Sequence, residues 1–434
     1  AVALYYLPGG PDGMVHGLSL ALYGPEGKEL MTTTQFELVR GLPLQMTAFQ
    51  LVERIAAAIG RQPAGVIDRC RLELAVFREP AMHGLASSPD LRGIETSRRA
   101  LVVAERGQMS WALEPELSAA EALKSALSAG KVHEPQHASV FSLEAHTTAV
   151  RLRGSTAPRS VPGPQVRPAA VAGSFYPREP AALVQELDRL LAGTSRQGLP
   201  CSAVMLPHAG YRFSGRIAAA TLAQIEIPDT VIVVGPKHTR LGVDWAIAPH
   251  ELWQLPGGNV RSDIDLARRL AAEIPGLELD AAAHQQEHAI EVELPLLARL
   301  APQAQVVGIV MGTGSLEACL DFGERLADVI RSLPRPPLLV ISSDMNHFAP
   351  DRQTRELDAL ALAAFDRLDP AELFHTVRRH HISMCGVLPA VVVIDCLRRL
   401  GRAQRTRQVG YATSAEASGD TSRVVGYAGA IIES

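Results

Sequence analysis

The sequence predicts an α/β protein: a three-layer α/β/α domain on a mainly parallel sheet, preceded by a smaller α+β domain. Three observations carry this prediction. From about residue 166 onward, short apolar strand-like runs alternate with longer amphipathic helices, the pattern of a sheet covered on both faces. A single seam, Arg151 to Pro168 (RLRGSTAPRSVPGPQVRP), is rich in Pro, Gly, Ser and Arg and has no apolar period, so it reads as a linker. Finally, several strand-like runs end in loops bearing metal-capable side chains, where open α/β sheets gather their ligands. At 434 residues the chain is too long for one core. The expected division is residues 1–150, a linker at 151–165, and a larger domain at 166–434.

In the front part, Gly17–Tyr23, Arg71–Phe77, Arg99–Val103 and Val140–Glu144 read as strands, and Gln50–Ile59 and Ala119–Ala129 as amphipathic helices. Its histidines, His16, His83, His133, His137 and His146, fall in no recognisable metal spacing and read as scattered core or surface residues. In the back part, strands are expected at Ser202–Leu206, Thr230–Val234, Val306–Met311, Leu338–Ile341 and Ser422–Ile432. Helices are expected at Ala181–Leu191, Arg216–Gln224, Asp263–Ala272, Ile290–Leu300, Leu316–Leu333, Gln353–Arg367, Pro370–Arg379 and Val387–Leu400.

Composition narrows the function. With 47% hydrophobic and 20% charged residues and a formal net charge of −4, the chain has no general attraction for nucleic acid or anionic membrane. No apolar run approaches the roughly 20 residues a membrane helix needs. The five cysteines, Cys70, Cys201, Cys319, Cys385 and Cys396, form no CxxC pair, so a reducing cytoplasm is expected rather than a disulfide scaffold. The absence of GxxxxGK[ST], GxGxxG and GxSxG patterns argues against nucleotide-dependent and serine-hydrolase chemistry.

The chemistry-bearing residues sit in a few short stretches. His208 (LPHAGY), His238 (GPKH), and Asp344 and His347 (SSDMNH) each follow a predicted strand, and Cys385 (MCG) precedes a predicted helix. If the strands run parallel, the first three loops open on one sheet edge. A thiol at a helix N-terminus is expected to favour thiolate. Imidazole with thiolate suits zinc, iron or copper rather than magnesium or calcium. His284 and the run Glu287–Glu293 form a further polar cluster. His288 and Glu291, three residues apart, are expected to share a helix face and to orient a ligand or move a proton. Glu287 reads equally well as a helix-start carboxylate.

Seven segments, in this order, resemble Memo-like proteins: VRPAAVAGSFYP, LPHAGYRFSG, VVGPKH, EHAIEVELP, SSDMNHF, MCG and SGDTSRVVGYAGA. In prokaryotes that family includes protein B of the AmmeMemoRadiSam system. The resemblance implies a fold like that of class III extradiol dioxygenases. It implies His208, His238 and Cys385 as ligands of an iron or copper ion, with zinc also compatible. Asp344 and His347 would line the same pocket. With His288, they are the candidates for acid–base work. The implied activity is redox chemistry on a small organic or protein-derived substrate, with a radical-SAM enzyme as partner. Extradiol enzymes carry glutamate where this chain has Cys385, which weakens any carry-over of ring cleavage, and Thr239 replaces a second histidine of some relatives. The front part, through RLELAVFREP, GIETSRRALVVAERGQMSWALEPEL and VFSLEAH, resembles an AMMECR-type domain. It lacks that family's Arg-Gly-Cys-Ile-Gly stretch, which implies a scaffold or docking role. Three functions stay open: a metal-dependent oxidase or oxygenase, a non-catalytic metal- or partner-binding protein, and a metallohydrolase with His347 or Asp344 as base.

Overall fold

The structure, a computed structural model, describes residues 13–27, 29–59, 69–105, 108–132, 135–158 and 160–434, so His133 lies outside the described residues. Helices and strands are mixed throughout, a general α/β fold. The chain divides into two compact units, Ala1–Ala157 and Pro158–Ser434.

The front unit is built on an antiparallel sheet in the order Glu29–Phe36, Gly17–Tyr23, Arg71–Leu85, Ser139–Thr147, Arg99–Glu105, Gln108–Leu113 and Leu152–Ser155. Among the described residues, two helices, Leu44–Ile59 and Ala119–Gly130, accompany it. The second begins at a capping box in which Ser118 and Glu121 bond each other's backbone N–H, an arrangement that satisfies two orphan donors of the first turn.

The back unit centres on four parallel strands: β1 (Ala203–Leu206), β2 (Thr230–Pro236), β3 (Gln305–Met311) and β4 (Leu338–Ser342), lying side by side in the order β3-β2-β4-β1. β5 (Arg405–Thr413) and β6 (Val424–Glu433) pair antiparallel, and β6 runs antiparallel to β1. The central strands are apolar on both faces because each side chain goes into one of two cores. Ala203, Met205, Ile232 and Val234 join a cluster with residues of the helices Leu316–Arg331 and Val387–Arg399. Val204, Leu206, Val231 and Val233 join another with residues of Pro180–Leu191 and Tyr211–Leu222. Burying a Val or Leu in this way contributes about 1.5–3 kcal/mol.

The stretch 151–165 makes backbone contacts of its own: Leu152–Ser155 pairs antiparallel with Gln108–Leu113, and Val161 N–H donates to Asp280 Oδ1 at 2.9 Å. Composition disfavoured regular structure there, but backbone donors and acceptors still found partners on adjacent edges. The sequence reading also missed the strands Trp245–Ile247, Leu252–Leu255, Gly258–Ser262 and Arg405–Thr413. The first three are short. Arg405–Thr413 is buried only at its last two positions, so it has no apolar run to reveal it.

Candidate metal centre

Because β1, β2 and β4 are parallel, the loops after them open on one edge, and His208, His238 and Asp344 meet there. His208 is buried, with its backbone N–H on Asp344 Oδ1 at 2.9 Å. The Ser342 hydroxyl donates to Ala289 O at 2.7 Å, so its oxygen accepts from His208 Nδ1–H, also at 2.7 Å. That assignment leaves the Nε2 lone pair of His208 free. Nε2 lies 3.5 Å from Cys385 Sγ.

His238 is held in the same manner. The buried carboxylate of Glu287 accepts from the His238 backbone N–H and, at 2.9 Å, from its Nδ1. Glu287 Oε1 also takes the N–H groups of His288 at 2.8 Å and Ala289 at 3.0 Å. Burial alone would raise the Glu287 pKa, but the hydrogen bonds from His238 and the backbone outweigh it and bring it to about 2. Glu287 is therefore an ionised acceptor that fixes the His238 tautomer, the arrangement that commonly orients metal-ligating histidines.

His288 stands beside both. Its ring stacks on His238, with centroids 4.4 Å apart and planes 26° from parallel, and meets His208 edge-on at 5.3 Å. One ligand-type atom from each of His208, His238 and His288 lies within 4.8 Å of the others. Burial, then the neighbouring imidazoles, hold His208 well below its ordinary pKa. The same causes, burial first and then His238, bring His288 to about 4. Near neutral pH the His208 and His288 rings are unprotonated and available as donors.

Cys385 approaches His208 from the helix side but lies outside the three-imidazole group. Its Sγ accepts the Asp344 N–H at 3.2 Å. A Cβ at Gly386 would come within 2.4 Å of Ser343 Cβ and 2.6 Å of Ser342 O, so only glycine lets the thiol approach this loop. The expectation of a dipole-stabilised thiolate does not hold for the metal-free protein: burial, then Asp344, push the thiol well above its ordinary range. Desolvation outweighs the helix terminus.

The remaining candidates separate. Asp344 is raised to about 7 by burial and braces the His208 backbone. His347 lies outside the three-imidazole group. Its Nδ1 donates to Ser383 O at 2.8 Å, and burial lowers its pKa. Glu291 does not pair with His288. It accepts from Arg167, from Tyr176 Oη at 2.6 Å, and from the N–H groups of Ala170 and Val171. Three-residue spacing failed here because Glu291 opens a 3-10 turn rather than a helix shared with His288. Arg167 in turn donates to the carbonyls of His284 at 2.9 Å and Glu287 at 2.7 Å, stiffening the loop that carries His288. Sequence reasoning missed Ser342 and Arg167; a serine at the carboxyl end of a strand preceding SDMNH was the one available signal.

Three imidazoles that can converge on one ion suit a transition metal. With metal–nitrogen bonds of about 2.0–2.1 Å and metal–sulfur bonds of about 2.3 Å, a tetrahedral N···S edge is about 3.6 Å. The 3.5 Å between His208 Nε2 and Cys385 Sγ matches it.

Fold and site together define an α/β domain with a cluster of three imidazoles, able to hold a metal ion, at the carboxyl edge of parallel strands. Residues 167–431 match the family described as Memo-like protein, and the chain belongs to that family. A MEMO1 family protein of Aquifex aeolicus is 37% identical over 268 residues, covering 62% of this chain and 99% of the relative. One from Methanopyrus kandleri is 36% identical, covering 60% of this chain and 97% of the relative. One from Methanosarcina mazei is 32% identical, covering 62% of this chain and 100% of the relative. A solved structure of an uncharacterized Pyrococcus horikoshii protein, PH0010, covers 33% of this chain and 80% of its own at 14% identity. Its TM-score of 0.24 is too low to carry an argument.

Proposed function

We propose that the back unit binds one transition-metal ion, iron or copper with zinc also compatible, through His208, His238 and Cys385. The observation that carries this reading is the pinning of Nδ1 on His208 and His238 by separate acceptors, beside a thiol at the right edge distance. Such pinning is costly to build without a use for Nε2. The metal would supply redox or Lewis-acid chemistry. His347, with Nδ1 on a carbonyl, would hold or accept a proton at Nε2, while Asp344 would keep His208 in place. His288 remains the other candidate for proton transfer.

The two cores, one on each face of the parallel strands, support a three-layer arrangement like that of class III extradiol dioxygenases. The substrate class in this reading is a small organic or protein-derived molecule, within an AmmeMemoRadiSam-type system and with a radical-SAM enzyme as partner. The front unit, an AMMECR-like module, would serve docking, and cysteines in no disulfide among the described residues agree with a cytoplasmic setting. Among the described residues no helix is long and apolar enough to cross a membrane.

The test is anaerobic metal analysis of the purified chain, followed by oxygen-uptake assays with diols, thiols and phenols. About one iron or copper per chain with substrate-dependent uptake is expected. Absence of any bound transition metal would end the reading. Metal without uptake would favour a non-catalytic metal-binding role.

A further inference from the structure

We propose that His288 is a fourth ligand, so that the resting metal is enclosed by three imidazoles and the Cys385 sulfur. This rests on the metal-binding reading above and deepens it. The resemblance to Memo-like proteins implies three ligands; the structure puts a fourth donor within reach.

Three observations support it. The ring of His288, not the Cys385 sulfur, completes the three-donor group with His208 and His238 among the described residues, all ligand atoms within 4.8 Å, while Cys385 reaches His208 Nε2 at 3.5 Å. His288 Nδ1 lies 3.3 Å from Glu287 Oε1, longer than an ordinary N–H···O bond, so Nε2 is the nitrogen this ring would offer a metal. And its position is fixed, since Glu287 holds the His238 and His288 backbones together while Arg167 grips the Glu287 carbonyl. Phe175 packs on the His288 ring at 4.7 Å, limiting how far it swings. A side chain this constrained, stacked on one ligand and edge-on to another, is placed as a ligand is placed.

The consequence concerns access. Four-coordinate sites closed by protein ligands are structural or electron-transferring in character, whereas catalytic sites keep one position open. With three ligands a small molecule reaches the metal directly. With His288 in place, it must first displace that imidazole. His288 therefore sets whether the centre is open or closed at rest.

Cobalt(II) is the probe. The full chain is loaded with cobalt under anaerobic conditions, and the wild type is compared with His288→Ala and His288→Gln, each checked for folding by circular dichroism. The wild type is expected to give the intense visible bands of four-coordinate cobalt and a sulfur-to-cobalt charge-transfer band, with little response to azide. Both variants should keep the sulfur band, bind cobalt at least about tenfold more weakly, since loss of an outer-shell partner alone costs 10–100-fold, and respond to azide. Unchanged affinity in the variants, with a wild type equally responsive to azide, would overturn the proposal. Failure of the wild type to bind cobalt at all would refute the underlying metal reading instead.

Discussion

Compare His83 in the front unit with His208 in the back. His83 donates from Nδ1 to Asp90 O at 2.9 Å, and its Nε2 accepts from the Ser142 hydroxyl at 2.8 Å. Both nitrogens are committed to holding the sheet. His208 also has Nδ1 committed, to Ser342, but its Nε2 faces a thiol and two more imidazoles. The same residue type thus does structural work in one unit and presents a lone pair in the other. What separates their chemistry is whether the second nitrogen has an acceptor or donor of its own.

The sharpest way to break this comparison is to remove one histidine from each unit. His238→Ala should weaken metal binding more than about 100-fold, since a direct ligand is worth more than the 10–100-fold of an outer-shell partner. His83→Ala should leave metal affinity unchanged. Competition titration with a chromogenic chelator reads both, and equal losses would show that the distinction is false.

Glu287 tests the second half of the comparison, that Nδ1 is pinned on purpose. Glu287→Gln should cost about 10–100-fold in metal affinity while the protein stays folded. Undiminished affinity would mean that the Glu287–His238 contact only stiffens the loop.

Acid stability probes the buried neutral imidazoles. His284 is fully buried, and burial, then Arg167, lower its pKa to about 3. The unfolded chain therefore carries an extra proton between about pH 6.5 and this value. The stability this group contributes is fully present above that window and is lost as pH falls through it, by about 1.4 kcal/mol per pH unit. His284→Phe should flatten that slope by about this amount in urea unfolding of the metal-free protein. Parallel profiles for variant and wild type would contradict the assignment.

The smallest effect concerns the segment before the family match. Relatives covered over 97–100% of their own length match only 60–62% of this chain, which supports a back unit that folds alone. A fragment starting at Pro158 should bind metal like the full chain. One starting at Val166 loses Val161 N–H on Asp280, the Val161 carbonyl on Ala281 N–H and the Pro164 carbonyl on His250. It should be less stable by about 1–3 kcal/mol, with metal stoichiometry unchanged. Identical stability of the two fragments would show that the segment contributes nothing.

Much of this was legible in the residues. Apolar runs such as TVIVV announce buried strands, and parallel order then sends His208, His238 and Asp344 to one edge without further information. Cys385 was recognisable as close to the site but not as to its ionisation, because desolvation and Asp344 act through space. His288 was misread as half of a pair with Glu291: the local turn is 3-10, and Arg167, more than a hundred residues earlier, claims the carboxylate. Glu287 could not be told from a helix-start acid, since its partner His238 lies in a distant loop. Contacts between residues far apart in sequence are what the linear pattern lacks.

The most direct test of the central claim is X-ray absorption at the metal edge of the loaded full chain, wild type against Cys385→Ser. The account predicts one sulfur scatterer at about 2.3 Å together with nitrogen scatterers at about 2.0–2.1 Å, the sulfur vanishing in the variant while nitrogens remain. A first shell of nitrogen and oxygen alone, identical in both proteins, would contradict it.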